Sequence, residues 1–185
     1  MSETTQTRRF RWNSRSLAVA AVCLALSFLL SYIKLWDMPA GGSVTPASML
    51  PVMLFSWLYG VGPGLLVGFA YSLLQCIQGP NVVHWLQFIL DYPLAYTVLG
   101  LAGCFRRFRG AWALPAGVVL ACFARFLCHF FTGVVYFAEY ANAVDTLGVL
   151  LYSLSYNGTY MAVEALVSAV LVCMPQVQSA LKRIA

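Results

Sequence analysis

Three polar residue types stand inside apolar runs of this sequence, as Asp91, His129 and Asn157. Ionisable and amide groups in such runs are costly, which makes them candidates for a functional site. A carboxylate supplies negative charge, an imidazole supplies a hydrogen-bonding ring, and an amide both donates and accepts. Together they could bind a small cationic molecule.

Aromatic residues could complete such a site. They make up 15% of the chain, and several can be placed beside the polar groups: Tyr71, Tyr92, Phe137 and Trp36. Aromatic rings hold a planar cation by stacking and cation–π attraction. Alternatively, aromatic residues form belts at membrane interfaces, which is how we interpret Trp12 and Trp112.

Helical spacing predicts which of these residues share a face. A single stripe on one helix is formed by Arg125, His129, Thr132, Gly133, Tyr136 and Phe137. On the last long run, Asn157 and Glu164 share a face. Counting helical rise places Arg125 and Glu164 both about 23 Å from the outer end. Because buried opposite charges must be paired, we predict an Arg125–Glu164 ion pair.

The same count places the candidate site in the outer half of the molecule. Asp91 and Tyr92 lie roughly 10 Å below the outer end, His129 about 16 Å, and Tyr152 and Asn157 on the order of 6 to 14 Å. The alternatives are structural: His129 as a core hydrogen-bonding group, Asn157 as an interhelical contact, and Arg125 as the partner of Asp91.

The elements that must position these residues are transmembrane helices. The chain has 185 residues, of which 61% are hydrophobic and 9% charged, and its mean hydropathy is +0.79. Six apolar runs follow each other along the chain: 17–35, 49–59, 64–77, 84–105, 111–140 and 149–174. We predict an all-α integral membrane protein with six spans. All six cysteines lie in apolar segments and are interpreted as core residues.

Charge predicts the topology, since Lys and Arg accumulate in cytoplasmic loops. The basic clusters are Arg8 to Arg15, Arg106 to Arg109, and Lys182 with Arg183. All three fall on one face if the runs on either side of residues 60–64 form two helices, so both termini are predicted to be cytoplasmic. The chain is then one transmembrane domain, 1–185, with a polar N-terminus at 1–16, a bundle at 17–175 and a tail at 176–185.

The second predicted helix is short for a span. The preceding loop, 36–47, is expected to fill the missing outer half and could act as a lid, because irregular backbone at this depth survives only against protein or a cavity. An ordinary surface turn is the alternative.

Three sequence blocks resemble one family in order and composition. They are QFILDYPLAY at 87–96, continuing to GLAG at 100–103, then HFFTGVV at 129–135, and YSLSYNG at 152–158. The chain resembles the thiamin-specific substrate-binding subunits of energy-coupling factor transporters from about Leu17 to Met174.

The resemblance implies a subunit that captures thiamin from outside and is not an enzyme. Its partners would be a transmembrane coupling protein and two ATPase subunits in a cell membrane, with no cofactor or metal. Nucleic acid is not expected, because the basic residues lie at the ends of apolar runs rather than on one soluble face. The implied ligand contacts are Asp91, Tyr92, His129, Gly133, Tyr152 and Asn157. Phe137 and Tyr71 stand where the family often has Trp, Trp36 is assigned to the loop, and Ala21 with Ala25 match the face that docks the coupling protein.

Other functions remain possible from the residues alone. A stand-alone transporter or channel for an organic cation would line a continuous polar path, but the chain is small and has no internal repeat. A serine protease is disfavoured because there is no GxSxG motif. A thiamin precursor or pyrimidine fragment could replace thiamin as the ligand.

Overall fold

The structure is a computed structural model that describes residues 10–38, 42–108, 110–141 and 145–184, without the side chains of residues 139 and 140. Arg8, Arg9 and Arg109 of the predicted basic clusters, and residues 39–41 of the predicted lid, lie outside the described residues.

The described chain is mostly helical, as predicted. Its helices are α1 (Ser14–Ser31), α2 (Leu50–Tyr59), α3 (Val61–Cys76), α4 (Trp85–Phe105), α5 (Ala113–Tyr136), α6 (Thr146–Cys173) and α7 (Pro175–Ile184). Among the described residues, α1, α4, α5 and α6 are long and apolar enough to cross a membrane, whereas α2 and α3 are shorter apolar helices. A 3-10 turn, Ala138–Ala141, follows α5.

The start of α1 shows how local chemistry sets a helix boundary. Asn13 accepts a hydrogen bond from the Ser16 backbone N–H at 2.8 Å, and the Ser16 hydroxyl accepts one from the Asn13 N–H at 3.0 Å. This reciprocal cap satisfies backbone donors that have no partner inside the helix. The helix therefore begins at Ser14, three residues before the predicted boundary.

The segment 36–47 contains regular structure that was not predicted. β1 (Trp36–Asp37) and β2 (Ser43–Val44) form an antiparallel pair in which Trp36 is opposite Val44. The pairing satisfies backbone groups that would otherwise lack partners.

Gly60 separates α2 from α3. Its φ of 104° lies in a region that residues with a Cβ rarely adopt, so the helix stops there and a second begins. Residues 50–76 therefore form two separate helices that contact each other, rather than one bent helix.

The helix α4 is irregular where its polar residues lie. It is α-helical at Trp85–Ile89, a π-turn at Leu90–Leu94, α-helical at Ala95–Thr97 and a 3-10 helix at Val98–Phe105. Pro93 lacks a backbone N–H and lies inside the π-turn. Single π-turns often occur at functional sites, and this one carries Asp91 and Tyr92.

Close packing fixes the C-terminal half of α4 against α3. A Cβ added at Gly100 would meet the backbone nitrogen of Leu65, and the Ser56 hydroxyl donates to the Gly100 carbonyl. The Gly103 N–H donates to the same Ser56 hydroxyl at 3.1 Å. These contacts hold the irregular helix against α2 and α3.

The surface of the bundle is largely apolar, and several polar side chains are buried beside an apolar core. Large apolar side chains face outward, as at Ile77, which is 70% exposed, and Leu166, which is 66% exposed. Polar side chains face inward, including Gln87 at 1% and Glu164 at 3%. This distribution suits a lipid environment, in which polar groups must find partners inside the protein.

The basic ends of the chain meet at one end of the bundle. The Arg15 guanidinium donates to the Ile184 carbonyl at 2.7 Å, which joins the start of α1 to the end of α7. At this end Arg106 donates to the Leu58 carbonyl at 3.0 Å.

Candidate ligand-binding site

A cavity of about 430 Å³ lies among α4, α5, α6 and the segment that follows β2. Seven of the nine predicted ligand-binding residues line it: Asp91, Tyr92, His129, Gly133, Phe137, Tyr152 and Asn157. Its volume lies within the usual range for small-molecule pockets, about 300 to 1,000 Å³. The role of these seven residues in ligand binding remains a prediction.

Asp91 is held by three side chains. Its Oδ1 accepts from the Thr132 hydroxyl at 2.6 Å and lies 2.8 Å from His129 Nδ1, while its Oδ2 accepts from Gln87 Nε2 at 2.7 Å. Its side chain is 12% exposed. These hydrogen bonds compensate partly for the removal of the Asp91 carboxylate from water, and they fix its orientation.

The contact with Arg125 shows which ring nitrogen of His129 carries the proton. Arg125 Nε donates to His129 Nε2 at 3.2 Å. Because a guanidinium has no acceptor, Nε2 must carry the lone pair, and Nδ1 then carries the hydrogen that is donated to Asp91. His129 is therefore neutral in this arrangement, and the charge of Asp91 is not cancelled by it.

The predicted Arg125–Glu164 ion pair is wrong as a direct contact. The Arg125 guanidinium lies over the Tyr96 ring, with Cζ 4.0 Å from the ring centroid. Glu164 instead accepts from the Thr45 N–H at 2.5 Å and the Thr45 hydroxyl at 2.6 Å. Both charged groups line the cavity, but each is stabilised by other partners.

Asn157 is partly satisfied by its own helix. Its Nδ2 donates to the Ser153 carbonyl at 3.1 Å and lies 3.2 Å from the Ser153 hydroxyl, and its Oδ1 accepts from the Tyr160 hydroxyl at 3.2 Å. A carbonyl oxygen has two lone pairs, so Oδ1 retains one acceptor position. Gly133 packs directly here, since a Cβ on it would lie 2.8 Å from Asn157 Nδ2.

Tyr71 does not line the cavity, contrary to the prediction. It is fully buried, and its hydroxyl donates to the Ser27 carbonyl at 3.0 Å. Its ring meets the Tyr96 ring edge-on at a centroid distance of 5.0 Å. Tyr71 thus supports Tyr96, which does line the cavity, from behind.

Trp36 does not line the cavity either. It is 51% exposed, whereas the adjacent Asp37 is in the cavity wall. Successive side chains of a strand point to opposite faces, so Trp36 and Asp37 cannot both face inward.

Several wall residues were missed. Gln87 lies one turn before Asp91, and the i, i+4 pairing of Gln with Asp could have identified it. Thr132 was placed on the correct helix stripe without being assigned a contact. Tyr96 ends the first resemblance block but was assigned no contact, and Thr45 had no signal. Their contacts with Arg125 and Glu164 join separate parts of the chain.

The charged side chains in the wall favour a cationic ligand. Among the described lining residues, Asp37, Asp91 and Glu164 are carboxylates, against the cations Lys34 and Arg125. Lys34 and Asp37 form an exposed ion pair at 3.2 Å, so two carboxylates and one guanidinium remain. Within the described ranges, no group of three or more His, Cys, Asp and Glu residues could hold a metal ion.

Comparison with known proteins identifies the family. Residues 17–183 match the family described as thiamine transporter protein (Thia_YuaJ). The chain belongs to this family. The resemblance seen in the three sequence blocks is therefore confirmed. The predictions of a multi-pass membrane protein, and of a transporter rather than an enzyme, are confirmed as well.

Individual relatives agree with this membership. The chain is 30% identical over 168 residues to the Thiamine transporter ThiT of Bacillus subtilis, covering 83% of this chain and 86% of that protein. It is 33% identical over 125 residues to the Thiamine transporter ThiT of Lacticaseibacillus paracasei, covering 60% and 61% respectively. A solved structure of ThiT from Listeria monocytogenes shares the fold, with a TM-score of 0.76, 23% identity, and coverage of 87% of this chain and 93% of that one.

Proposed function

We propose that this chain captures thiamin in the cavity and delivers it through a separate ATP-driven coupling module. The observation that carries the proposal is a carboxylate, Asp91, fixed by three donors in the wall of a cavity whose chain belongs to a thiamine transporter family. Thiamin carries a permanent positive charge, which this carboxylate would face.

Aromatic rings support the same ligand. Tyr92, Phe137 and Tyr152 line the cavity, and Tyr152 stacks on Tyr156 at a centroid distance of 5.7 Å. Flat rings at a cavity wall bind a planar cation through stacking and cation–π attraction. This combination suits thiamin, which has two aromatic rings, one of them cationic.

The charge distribution supports opening toward the outside. The basic end, where Arg15 meets Ile184, would be cytoplasmic by the positive-inside rule. Six spans with both termini in the cytoplasm follow if α2 and α3 each cross the membrane. The segment that follows β2 would then act as a lid, held by the Thr45 contacts to Glu164.

The first test is a titration of purified wild-type protein with thiamin. We expect sub-micromolar affinity without any ATPase subunit, because a preformed pocket binds without the energy of hydrolysis. Calorimetry is preferred, since no tryptophan is among the described lining residues and intrinsic fluorescence could remain unchanged. Absence of binding at tens of micromolar thiamin would reject the proposal, and tighter binding of the isolated aminopyrimidine would reassign the ligand.

The second test concerns coupling. Ala21 and Ala25 are exposed and one turn apart on α1, so their small side chains allow close approach of a partner helix. Replacing both with Trp should leave thiamin binding within about twofold but abolish transport by the assembled complex, because bulk separates the helices.

A matched control uses another exposed pair, Ala162 and Leu166 on α6. The same double replacement with Trp there should leave both binding and transport intact. Equal loss of transport in both variants, or normal assembly of the α1 variant with the coupling module, would contradict the assignment of this face.

A further inference from the structure

Glu164 is a buried carboxylate that the proposed ligand contacts did not include. It lies on α6, is 3% exposed, and lines the cavity. It follows Asn157 by seven residues on the same helix face, which places it roughly 10 Å farther along the helix. Besides Asp91 and the exposed Asp37, the cavity therefore has a buried carboxylate, displaced toward the basic end of the bundle.

One oxygen of this carboxylate is fully engaged. Oε1 accepts from both the backbone N–H and the hydroxyl of Thr45, at 2.5 and 2.6 Å. The Ser48 hydroxyl lies 2.8 Å from Thr45 Oγ1, and because the Thr45 proton goes to Glu164, Ser48 must donate in this pair. The orientation of the Glu164 carboxylate is therefore fixed.

The other oxygen has no partner. Among the described residues, Glu164 Oε2 is buried and makes no hydrogen bond. The guanidinium of Arg125 shares the cavity but is not within ion-pair distance of it. Buried polar atoms are nearly always hydrogen-bonded, and an unsatisfied carboxylate oxygen is especially costly. The site is thus incomplete as it stands.

We propose that Glu164 Oε2 accepts a hydrogen bond from the bound ligand, through an amino or hydroxyl group that the ligand carries. This inference rests on the proposed function. A ligand with two linked rings can place its cationic ring near Asp91 and a donor group at Glu164. The Glu164 carboxylate then selects for a neutral donor, a role distinct from the charge recognition assigned to Asp91.

The decisive variant is Glu164→Gln. Thr45 presents two donors, so the amide oxygen must face Thr45, and the amide nitrogen then replaces Oε2. A ligand donor would meet another donor there. We expect thiamin affinity to fall roughly 10-fold to 100-fold, as for loss of a hydrogen bond to a charged group.

Two analogues identify the donor. One carries an oxo group in place of the pyrimidine amino group, and the other lacks the side-chain hydroxyl. For each ligand the ratio of dissociation constants between Glu164→Gln and wild type is measured, as in a double-mutant cycle. The analogue that lacks the relevant donor should bind both proteins within about twofold.

Three results would overturn the inference. The first is unchanged thiamin affinity of Glu164→Gln, and the second is an equal loss of affinity for all three ligands in that variant. The third is the same selective pattern in Thr45→Val, which removes the hydroxyl contacts to Glu164 Oε1 and Ser48 but leaves Oε2 in place. If Glu164→Gln does not fold, wild-type selectivity decides, since equal affinity for all three ligands also contradicts it. Failure of wild type to bind thiamin refutes the proposed function, and this inference with it.

Discussion

Asp91→Asn should weaken thiamin binding by roughly 30-fold to 1000-fold, which corresponds to about 2 to 4 kcal/mol. Two unit charges about 4 Å apart attract by about 4 kcal/mol at the effective dielectric constant typical of protein sites. The substitution removes the negative charge and also turns an amide nitrogen toward one of the donors Gln87, His129 or Thr132. Calorimetric titration of the variant measures the loss.

A second ligand separates charge recognition from structural damage. An uncharged isostere of thiamin, with carbon in place of the thiazolium nitrogen, should lose less than about fivefold on Asp91→Asn. Asp37→Asn is the matched control, because Asp37 lines the same cavity but is 63% exposed and pairs with Lys34. Exposed ion pairs contribute little, so this variant should bind thiamin nearly normally. Equal losses of charged and uncharged ligands on Asp91→Asn would show that Asp91 only maintains the fold.

The positions of seven of the nine predicted ligand contacts were predictable because they follow from helical geometry. His129 and Gly133 are one turn apart on α5, and Asp91 lies at a similar level on α4. Helical periodicity and rise therefore predicted that all three line one cavity. The π-turn at Leu90–Leu94 did not invalidate the predicted depth of Asp91, since it shifts the helix by only a fraction of a turn.

The failures involve contacts between distant segments. Arg125 and Glu164 were placed at one depth, but depth does not determine which neighbour a side chain meets. The Tyr96 ring and His129 accommodate the guanidinium, while Thr45, 119 residues before Glu164, takes the carboxylate. No periodicity within a helix reports such a contact.

Two aromatic residues, Tyr71 and Trp36, were misplaced for a related reason. Hydrophobicity and ring size are the same for a wall residue and for the residue behind it. Tyr71 lies behind Tyr96, and only the packing of α3 against α1, marked by the Tyr71 hydroxyl on the Ser27 carbonyl, distinguishes the two. Trp36 was misplaced because the short strand pair was not predicted.

Gly133→Ala should weaken thiamin binding by roughly 5-fold to 150-fold, the equivalent of about 1 to 3 kcal/mol for an overpacked site. The added Cβ would overlap the Ser153 hydroxyl and lie 2.8 Å from Asn157 Nδ2. The Ser153 hydroxyl donates to the Phe130 carbonyl at 2.8 Å, so moving it breaks an interhelical hydrogen bond. Asn157 must shift with it, which changes the cavity wall.

Gly158→Ala supplies the control for adding a methyl group at a glycine in the same region. A Cβ at Gly158 would meet only Phe126 Cε2, at the ordinary contact distance of 3.8 Å. This variant should bind thiamin within about twofold of wild type and be as stable or slightly more so, because alanine is the better helix former. Melting temperature without ligand and the thiamin dissociation constant are measured for both variants. If Gly133→Ala binds thiamin as Gly158→Ala does, the junction of Gly133, Ser153 and Asn157 tolerates displacement, and close packing there does not shape the binding site.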